Sequence, residues 1–344
     1  MKYDAGAKSM RCGHCDNTRA VGTSEGQQTI VEYNLEEGLA KAAERGYGTP
    51  VKTTMCKECG ATVSFGENVT STKCDFCDSS QVLEQEANRN VIRPESLVPF
   101  QVEEKAAADK FSGWIKGLWF RPSNLKHKAK VEEMSGVYVP YWTFDSNVDS
   151  DWTAQAGYYY YETEHYIDEE GEAQEKEVRK IRWEPAWGSR SDFHDDLLVC
   201  ASKGLPPKLA SKLRTFETAQ LISYDPQYLS GWKAEEYAVE LNDGWKDAVD
   251  KMEQIQHGRC RDDVPGDTQQ FLNVSNKFYD ETFKHVLLPI WISAYRYNDD
   301  VYRFLVNGQT GEVTGKAPYS VIKIVLFILM LVGIIGGLIF LLTR

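Results

Sequence analysis

The chain has 344 residues, of which 42% are hydrophobic and 12% aromatic, which is enough for the buried cores of two or three units and excludes a disordered chain. Its formal net charge of -12 means that nucleic acid and anionic bilayers repel it on average, which argues against general DNA binding. The first 20 residues are polar and contain no apolar signal-peptide stretch, so we expect the thiols to face the cytosol and not to form a secreted disulfide scaffold.

Six of the eight cysteines fall in three C-x-x-C pairs, a spacing typical of metal ligation. The first pair is Cys12 and Cys15. When the sequence is offset by 62 residues, this pair aligns with the last pair, Cys74 and Cys77, and the residues around the two pairs resemble each other. We therefore interpret residues 1–20 as half of a metal-binding ribbon, with an incomplete site.

Two explanations of this half ribbon remain open. In the first, which we favour, the missing pair of ligands belongs to a segment upstream of Met1. In the second, the first ribbon has decayed, and Cys12 and Cys15 are free thiols or share a metal with His14 or another neighbouring ligand. Two thiolates alone leave a metal ion half-coordinated, so neither explanation predicts a tetrahedral site from this pair by itself.

A helical linker is predicted for residues 34–46, because Asn34 is a favourable N-terminal cap and Gly46 a favourable C-terminal stop. It joins the half ribbon to a complete ribbon at residues 53–81. Both belong to a zinc-ribbon region that we place at residues 1–93.

The complete ribbon carries a C-x2-C-x14-C-x2-C array with a glycine directly after the first pair. Each C-x-x-C turn brings two thiolates together, and fourteen intervening residues suffice for a hairpin that directs both turns at one cation. Four thiolates leave no position for water, which favours Zn²⁺ in a structural role. A redox dithiol and an iron-sulfur cluster are the alternatives. The predicted zinc ligands are Cys56, Cys59, Cys74 and Cys77.

Residues 94–318 are predicted to form an α+β core domain, with an aromatic-rich antiparallel sheet and a few helices. The predicted helices lie within 99–119, 206–216 and 244–256, and the first presents Phe111, Trp114, Ile115 and Leu118 on one face. The predicted strands are 137–144, 157–167, 177–183, 286–297 and 301–306. The segment VYVPYW from Val137 resembles VLLPIW from Val286, which suggests two related sheet units.

The core contains no phosphate-binding loop, no nucleophile elbow and no H-E-x-x-H motif. Three polar groups are the strongest candidates for a metal or an acid-base pair: His194 with Asp195 and Asp196, Glu164 with His165, and Asp262 with Asp263 and Asp267. We interpret all three as solvated residues. The sequence therefore predicts no catalytic and no cofactor-binding residue, and we do not expect an enzyme; a membrane-tethered hydrolase would depend on the histidines of these groups.

Residues 319–344 are predicted to be a transmembrane tail anchor. The uncharged run Ile324–Leu342 would extend about 28 Å as a helix, close to the hydrocarbon thickness of a bilayer. Lys316 and Lys323 precede this span and only Arg344 follows it, so the positive-inside rule places the bulk of the chain on the cytoplasmic side of the inner membrane. Within the span, Gly333 and Gly337 form a G-x-x-x-G that would suit a homodimer.

Four further stretches are distinctive: KGLWFRPSNLK at 116–126, GVYVPYWTFD at 136–145, FKHVLLPIWISAYRY at 283–297 and YRFLVNGQTGEVTG at 302–315. With the ribbons, they resemble the bacterial TFIIB-type zinc-ribbon membrane proteins over nearly the whole chain. Members commonly have two complete ribbons, whereas this chain has one and a half. That family is sometimes labelled primosomal protein N-prime or helicase, but this sequence has no ATP-binding motif. The resemblance implies a membrane anchor that recruits an SPFH (flotillin-like) or a PspA-type partner to a stressed membrane.

Two functions follow as hypotheses. The first is a membrane-anchored adaptor that recruits protein partners to the cytoplasmic face of the membrane. The alternative is a membrane-tethered protein that binds nucleic acid through its ribbons. Residues 1–93 contain 11 Lys and Arg against 13 Asp and Glu, a net charge of -2, whereas a phosphate-binding module needs a basic patch. The charge therefore favours the adaptor.

Overall fold

Strands are the main secondary structure of the computed structural model, which describes residues 1–21, 30–36, 38, 52–65, 73–77, 79–80, 82–86, 92–125, 130–131, 134–167, 171–213, 216–298 and 300–342. The fold is mixed α+β, rich in sheet and with few helices, as the sequence predicts. The strands are β1 Lys2–Asp4, β2 Ser9–Arg11, β3 Thr18–Arg19, β4 Tyr33–Asn34, β5 Lys52–Cys56, β6 Thr62–Phe65, β7 Val82–Glu86, β8 Ser96–Leu97, β9 Lys130–Val131, β10 Ser135–Ile167, β11 Ala173–Cys200, β12 Ile222–Ser223, β13 Lys233–Glu236, β14 Thr268–Tyr297, β15 Asp300–Asn307 and β16 Val313–Gly315. The helices are α1 Glu104–Gly117, α2 Pro207–Ala210, α3 Leu241–Asp263 and α4 Val321–Leu342, with short 3-10 turns at Thr218–Gln220 and Pro226–Leu229.

Three long antiparallel strands, β10, β11 and β14, form the centre of the main sheet. β10 pairs with β14 along residues 135–157 and with β11 along residues 141–167. The three strands have 33, 28 and 30 residues. The strands predicted in this region are therefore right in type but much too short, while β15 confirms the strand predicted at 301–306.

The polar stretches between the predicted strands also belong to the ladder. Along residues 147–156 of β10, exposed or half-buried side chains alternate with buried ones, because α3 packs against one face and the other face meets solvent. Acidic side chains such as Asp149 and Asp151 occupy the exposed positions. They give this stretch the composition of a loop although it is a strand. A β-bulge beside Asp145 absorbs the shift in register between β10 and β11.

We call the outer part of the three strands, residues 147–167, 173–193 and 268–279, the arm. β14 begins at Thr268, opposite Gly157, so the last ten residues of β10 pair only with β11 in the part of the chain that the structure describes. This tip is a two-stranded hairpin about 30 Å long, and most of its side chains are exposed. The arm therefore extends the sheet well beyond the core.

Helix α3 covers one face of the central strands and is longer at both ends than the helix predicted at 244–256. Its buried residues Ala248 and Met252 belong to a cluster with Trp142. Near its C-terminal end, Cys260 packs in a second cluster with Trp152, on the inner part of the arm. The helix thus packs against the strands both in the core and in the inner part of the arm, and it stiffens the sheet between them.

Of the other two helices predicted in the core, one is confirmed and one is wrong in length. Helix α1 confirms a helix within 99–119 and buries Phe111 and Ile115 of the predicted face, with the other two members of that face partly buried. The helix predicted at 206–216 is wrong in length, since α2 has four residues and the chain turns at Ser211.

Most of the linker predicted at 34–46 lies outside the described residues. At its described start, the side-chain oxygen of Asn34 accepts a hydrogen bond from the Glu36 N–H at 3.0 Å, the contact expected of an N-terminal cap.

The two similar segments, VYVPYW and VLLPIW, are neighbours in one sheet. Val137 lies opposite Ile290, and Pro140 lies opposite Leu287. The two segments are therefore paired strands of one sheet and not parts of two separate sheets. Both segments lie in the fully buried middle of the ladder, where apolar side chains are required on both faces.

Two glycines of α3 form a matched pair for testing its packing. A Cβ added at Gly244 would lie 2.7 Å from Cδ1 of Trp142, whereas one added at Gly258 would meet nothing within 4 Å. Alanine in place of an open helical glycine stabilises by about 0.5–1 kcal/mol, while overpacking a core costs about 1–3 kcal/mol. We expect Gly258→Ala to raise the midpoint of thermal unfolding of the full chain in detergent and Gly244→Ala to lower it. A rise with both variants would contradict the close packing on Trp142.

Candidate metal centre

The complete ribbon is a small set of strands with two tight turns. β5 pairs antiparallel with β6 and with β7, and Cys56 is the last residue of β5. The Cys56 N–H donates to the Ala61 carbonyl at 2.9 Å, and the Gly60 N–H donates to the Cys56 carbonyl at 3.0 Å. Gly60 has φ +75°, the left-handed conformation that glycine adopts without strain, which explains the glycine directly after the first cysteine pair.

The two turns bring four sulfur atoms together. The Sγ atoms of Cys56, Cys59, Cys74 and Cys77 all lie within 4.8 Å of one another. The Cys56–Cys77 and Cys59–Cys74 pairs are 3.4 and 3.6 Å apart, and all four are free thiols. A tetrahedral ion with metal-sulfur bonds of about 2.3 Å separates its ligands by about 3.8 Å. These four predicted ligands are therefore close enough to hold a metal ion.

Crowding and burial work against four free thiolates in this cluster. Burial raises the pKa of Cys56, but the backbone N–H groups of Cys59 and Glu58 outweigh it and lower this pKa to about 7. Burial raises the pKa of Cys77 to about 11, and the hydrogen bond with the Cys59 thiol, together with burial, raises the pKa of Cys74 still further. Since thiolates are the ligating form, a divalent cation at the centre would offset their repulsion.

The ribbon is joined to the core through a backbone ladder. Val63 of β6 lies opposite Glu235 of β13, in a three-residue antiparallel pairing, and β13 pairs in parallel with β10. We call this β6–β13 ladder the seam. Beside it, Ser64 Oγ donates to the carboxylate of Glu236 at 3.1 Å.

Side chains of the second cysteine turn reinforce the seam. The carboxylate of Asp75 accepts hydrogen bonds from Lys233 at 2.6 Å and from Ser135 at 2.7 Å. The guanidinium of Arg303 donates to the Cys77 carbonyl at 3.2 Å. Sequence reasoning did not find these residues, because the Asp75–Lys233 pair is separated by 158 positions and both residue types are common on surfaces. The backbone N–H and carbonyl groups that form the seam leave no mark on the sequence at all.

The turn at Cys12 is closed by the same backbone hydrogen bond as the other two. The Cys12 N–H donates to the Asn17 carbonyl at 2.9 Å, and at an offset of 62 residues the Cys74 N–H donates to the Ser79 carbonyl at 2.9 Å. The repeat seen in the sequence thus extends to hydrogen bonding. In the described part of the chain, no group of three or more candidate metal ligands includes Cys12 or its exposed neighbour Cys15.

The first polar group of the core is less solvated than expected. His194 is buried, because it lies on the face of β11 that α3 covers, and burial lowers its pKa. Asp195 is exposed, whereas Asp196 is half-buried and lies with Asp145 and Asp195 in a cluster of carboxylates. The ammonium group of Lys284 is 2.8 Å from Asp196, so a lysine already supplies positive charge there.

The two remaining polar groups make contacts within the protein. Glu164 and His165 lie on the exposed tip of the arm, where His165 is 3.3 Å from Glu175. Asp263 pairs with Arg190 at 2.7 Å. Among the described residues, no candidate metal cluster includes Asp262, Asp263 or Asp267.

Helix α4 contains the predicted span and begins three residues before it. Of the helices that the structure describes, α4 is the one that is long and apolar enough to cross a membrane, with a mean hydropathy of 3.1 over Val321–Leu341 and no part of it buried by the protein.

Metal content separates the two cysteine sets. We expect elemental analysis of the purified full chain to find about one zinc per chain, because the four-thiol cluster completes a tetrahedron and the Cys12 pair does not. Cys74→Ser should abolish this zinc and unfold the ribbon. Cys12→Ser is the matched control and should leave the zinc in place. A content near two that falls to one in Cys12→Ser would show that the first pair has found further ligands.

Comparisons with known proteins give one similarity. The chain is 27% identical over 253 residues to the uncharacterized protein YdjG of Bacillus subtilis (strain 168), a match that covers 72% of this chain and 69% of that protein. No family model matches the chain. No solved structure matches it either.

Proposed function

We propose that the chain is a membrane-anchored zinc-ribbon adaptor, which recruits partner proteins to the cytoplasmic face of the inner membrane and takes part in the response to membrane stress. The observation that carries the proposal is the arm. It is a long sheet stiffened by α3, and no other described part of the chain covers its second face, which carries exposed aromatic side chains.

The free face lies opposite α3 and carries two large aromatic residues of β11. Trp187 is 76% exposed and Phe193 is 56% exposed. Their separation of six positions places both on the same side of the strand, and Arg190, at an odd spacing from each, contacts α3 on the other side. Exposed tryptophan and phenylalanine are costly in water and are typical anchors of protein interfaces.

A third exposed aromatic residue of the arm supports the same use. Phe271 is 74% exposed and has φ +54°, beside the β-bulge where β14 loses register with β10. A bulky residue in the left-handed region costs on the order of 1–3 kcal/mol, and such positions concentrate at functional sites. The exposed side chain of Phe271 therefore contributes little burial to the fold, and its backbone conformation costs stability.

The two ends of the molecule have supporting roles in this proposal. Four thiolates around Zn²⁺ leave no open coordination position, so the metal of the ribbon stabilises the fold and does no chemistry. Helix α4 spans the bilayer as a single anchor, and Gly333 with Gly337 gives two copies a face for close packing. An SPFH (flotillin-like) or PspA-type protein is the partner that the family resemblance suggests.

Replacing the aromatic anchors tests the proposal. The tagged full chain is purified from solubilised membranes of cells that produce it, and the proteins recovered with it are quantified by mass spectrometry. We expect Trp187→Ser with Phe193→Ser to reduce the principal partner at least ~10-fold, since interface anchors of this kind contribute about 2 kcal/mol or more each. Ser189→Ala, on the same face between them, should leave recovery unchanged.

Three readouts keep this test decisive. The double variant must still float with membranes and retain its zinc, which shows that the loss is local to the arm. Undiminished recovery of the partner by such a protein would contradict the adaptor proposal. Recovery of nucleic acid in place of protein, released by moderate salt, would support the alternative of a membrane-tethered nucleic-acid-binding protein.

A further inference from the structure

The loop that follows α1 lies against the first turns of α4. The Phe120 carbonyl accepts a hydrogen bond from the Ser320 N–H at 2.8 Å, and the Trp119 carbonyl accepts one from the Lys323 ammonium at 3.3 Å. The Phe120 ring meets the ring of Phe327 edge to face, with centroids 5.2 Å apart. The loop is therefore fixed to the helix by a backbone hydrogen bond, a hydrogen bond from the lysine side chain and an aromatic contact.

These contacts fix the depth of the loop relative to the membrane. Phe327 is the seventh residue of α4, about 9 Å along the helix from its first residue. If α4 spans the bilayer, as the proposed function requires, Phe120 lies beside the start of the hydrocarbon region. Trp119 is 77% exposed, and Tyr319 just before the helix is 67% exposed. Tryptophan and tyrosine are enriched at this depth because one end of each ring is polar.

The same region departs from the charge of the rest of the chain. Residues 116–125 contain one Lys, one Arg and no Asp or Glu, and residues 313–323 contain two Lys and no acid, in a chain of net charge -12. The guanidinium of Arg121 stacks 3.7 Å over the Tyr319 ring. Its Nη1 is buried and has no hydrogen-bond partner among the described residues. Positive charge is thus concentrated where α4 meets the core.

We propose that this surface is a lipid-binding collar that docks the core onto anionic phospholipid headgroups. The collar consists of Lys116, Trp119, Phe120, Arg121, Tyr319 and Lys323. Its aromatic rings enter the interface between headgroups and acyl chains, and its basic groups bind the headgroup phosphates. The core is therefore held against the bilayer at two points, which orients the arm and leaves it less free to rotate than a single tail anchor would.

Fluorescence quenching by brominated lipids tests the position of Trp119. The full chain is reconstituted in vesicles, and quenching is compared among the wild type, Trp119→Phe and Trp187→Phe. The two tryptophans are equally exposed, at 77% and 76%, but only the first belongs to the collar. The chain has nine tryptophans, and we expect Trp119 to account for most of the fluorescence that the brominated lipids quench. Trp119→Phe should therefore remove most of the quenching, whereas Trp187→Phe should leave it unchanged. Unchanged quenching in Trp119→Phe would overturn the proposal.

The preference for anionic lipid is tested in the same vesicles. At equal mole fractions, brominated phosphatidylglycerol should quench Trp119 more strongly than brominated phosphatidylcholine. Replacing Lys116, Arg121 and Lys323 by Gln should abolish this difference, and replacing the exposed Lys208 and Lys212 by Gln should not. Equal quenching by the two lipids in the wild type would contradict headgroup binding.

Flotation of the vesicles separates the two proposals. A chain that does not float with them has no membrane anchor, and the proposed function fails together with the collar. A chain that floats but keeps its quenching in Trp119→Phe retains its anchor and lacks the collar.

Discussion

The seam between β6 and β13 is the contact on which the rest of the arrangement depends. It places the four-cysteine ribbon in the same sheet as the long strands of the core. Glu235 lies within it, fully buried, and burial raises the pKa of this carboxyl to about 8. The Ser202 hydroxyl donates to the carboxylate at 2.8 Å. A buried acid is tolerated only where the surrounding structure holds it, and Glu235 pairs with Val63 of the ribbon, so its burial makes the core depend on the ribbon.

This dependence would give a metal bound by the four cysteines a mechanical role. A cation bound by the four thiols would fix the two cysteine turns. The second turn carries Asp75, which pairs with Lys233 of β13, and β13 lies beside β10. The same strand continues into the arm, and its partner β14 leads through β15 and β16 to the start of α4. The ribbon, the arm and the segment that leads into α4 are thus successive parts of one hydrogen-bonded framework. The proposed adaptor function requires such a framework, because it would present a surface at a fixed orientation.

Local chemistry was predictable from the sequence, whereas long-range pairing was not. The spacing of Cys56, Cys59, Cys74 and Cys77 marked a metal-binding cluster, because ligand convergence depends on short turns. The apolar run of α4 marked a candidate membrane helix, because the length and composition that define such a helix lie in one continuous stretch of sequence. The outer hairpin of the arm was predicted as two strands, at 157–167 and 177–183. Its inner part was missed because alternating Asp149 and Asp151 have the composition of a loop, and only the cover of α3 on the opposite face makes that stretch a strand. The seam was missed because backbone groups form it.

Hydrogen exchange on the full chain, with and without a chelator that removes the metal, tests the central claim that the ribbon and the core sheet form one cooperative unit. The amides of β5, β6 and β13 should lose protection together when the metal is removed, because the seam cannot persist without the ribbon. The inner arm, residues 147–157 and 268–279, is held by α3 and should stay protected. Loss of protection in β5 and β6 with no change in β13 would instead show that the ribbon is a unit independent of the core sheet.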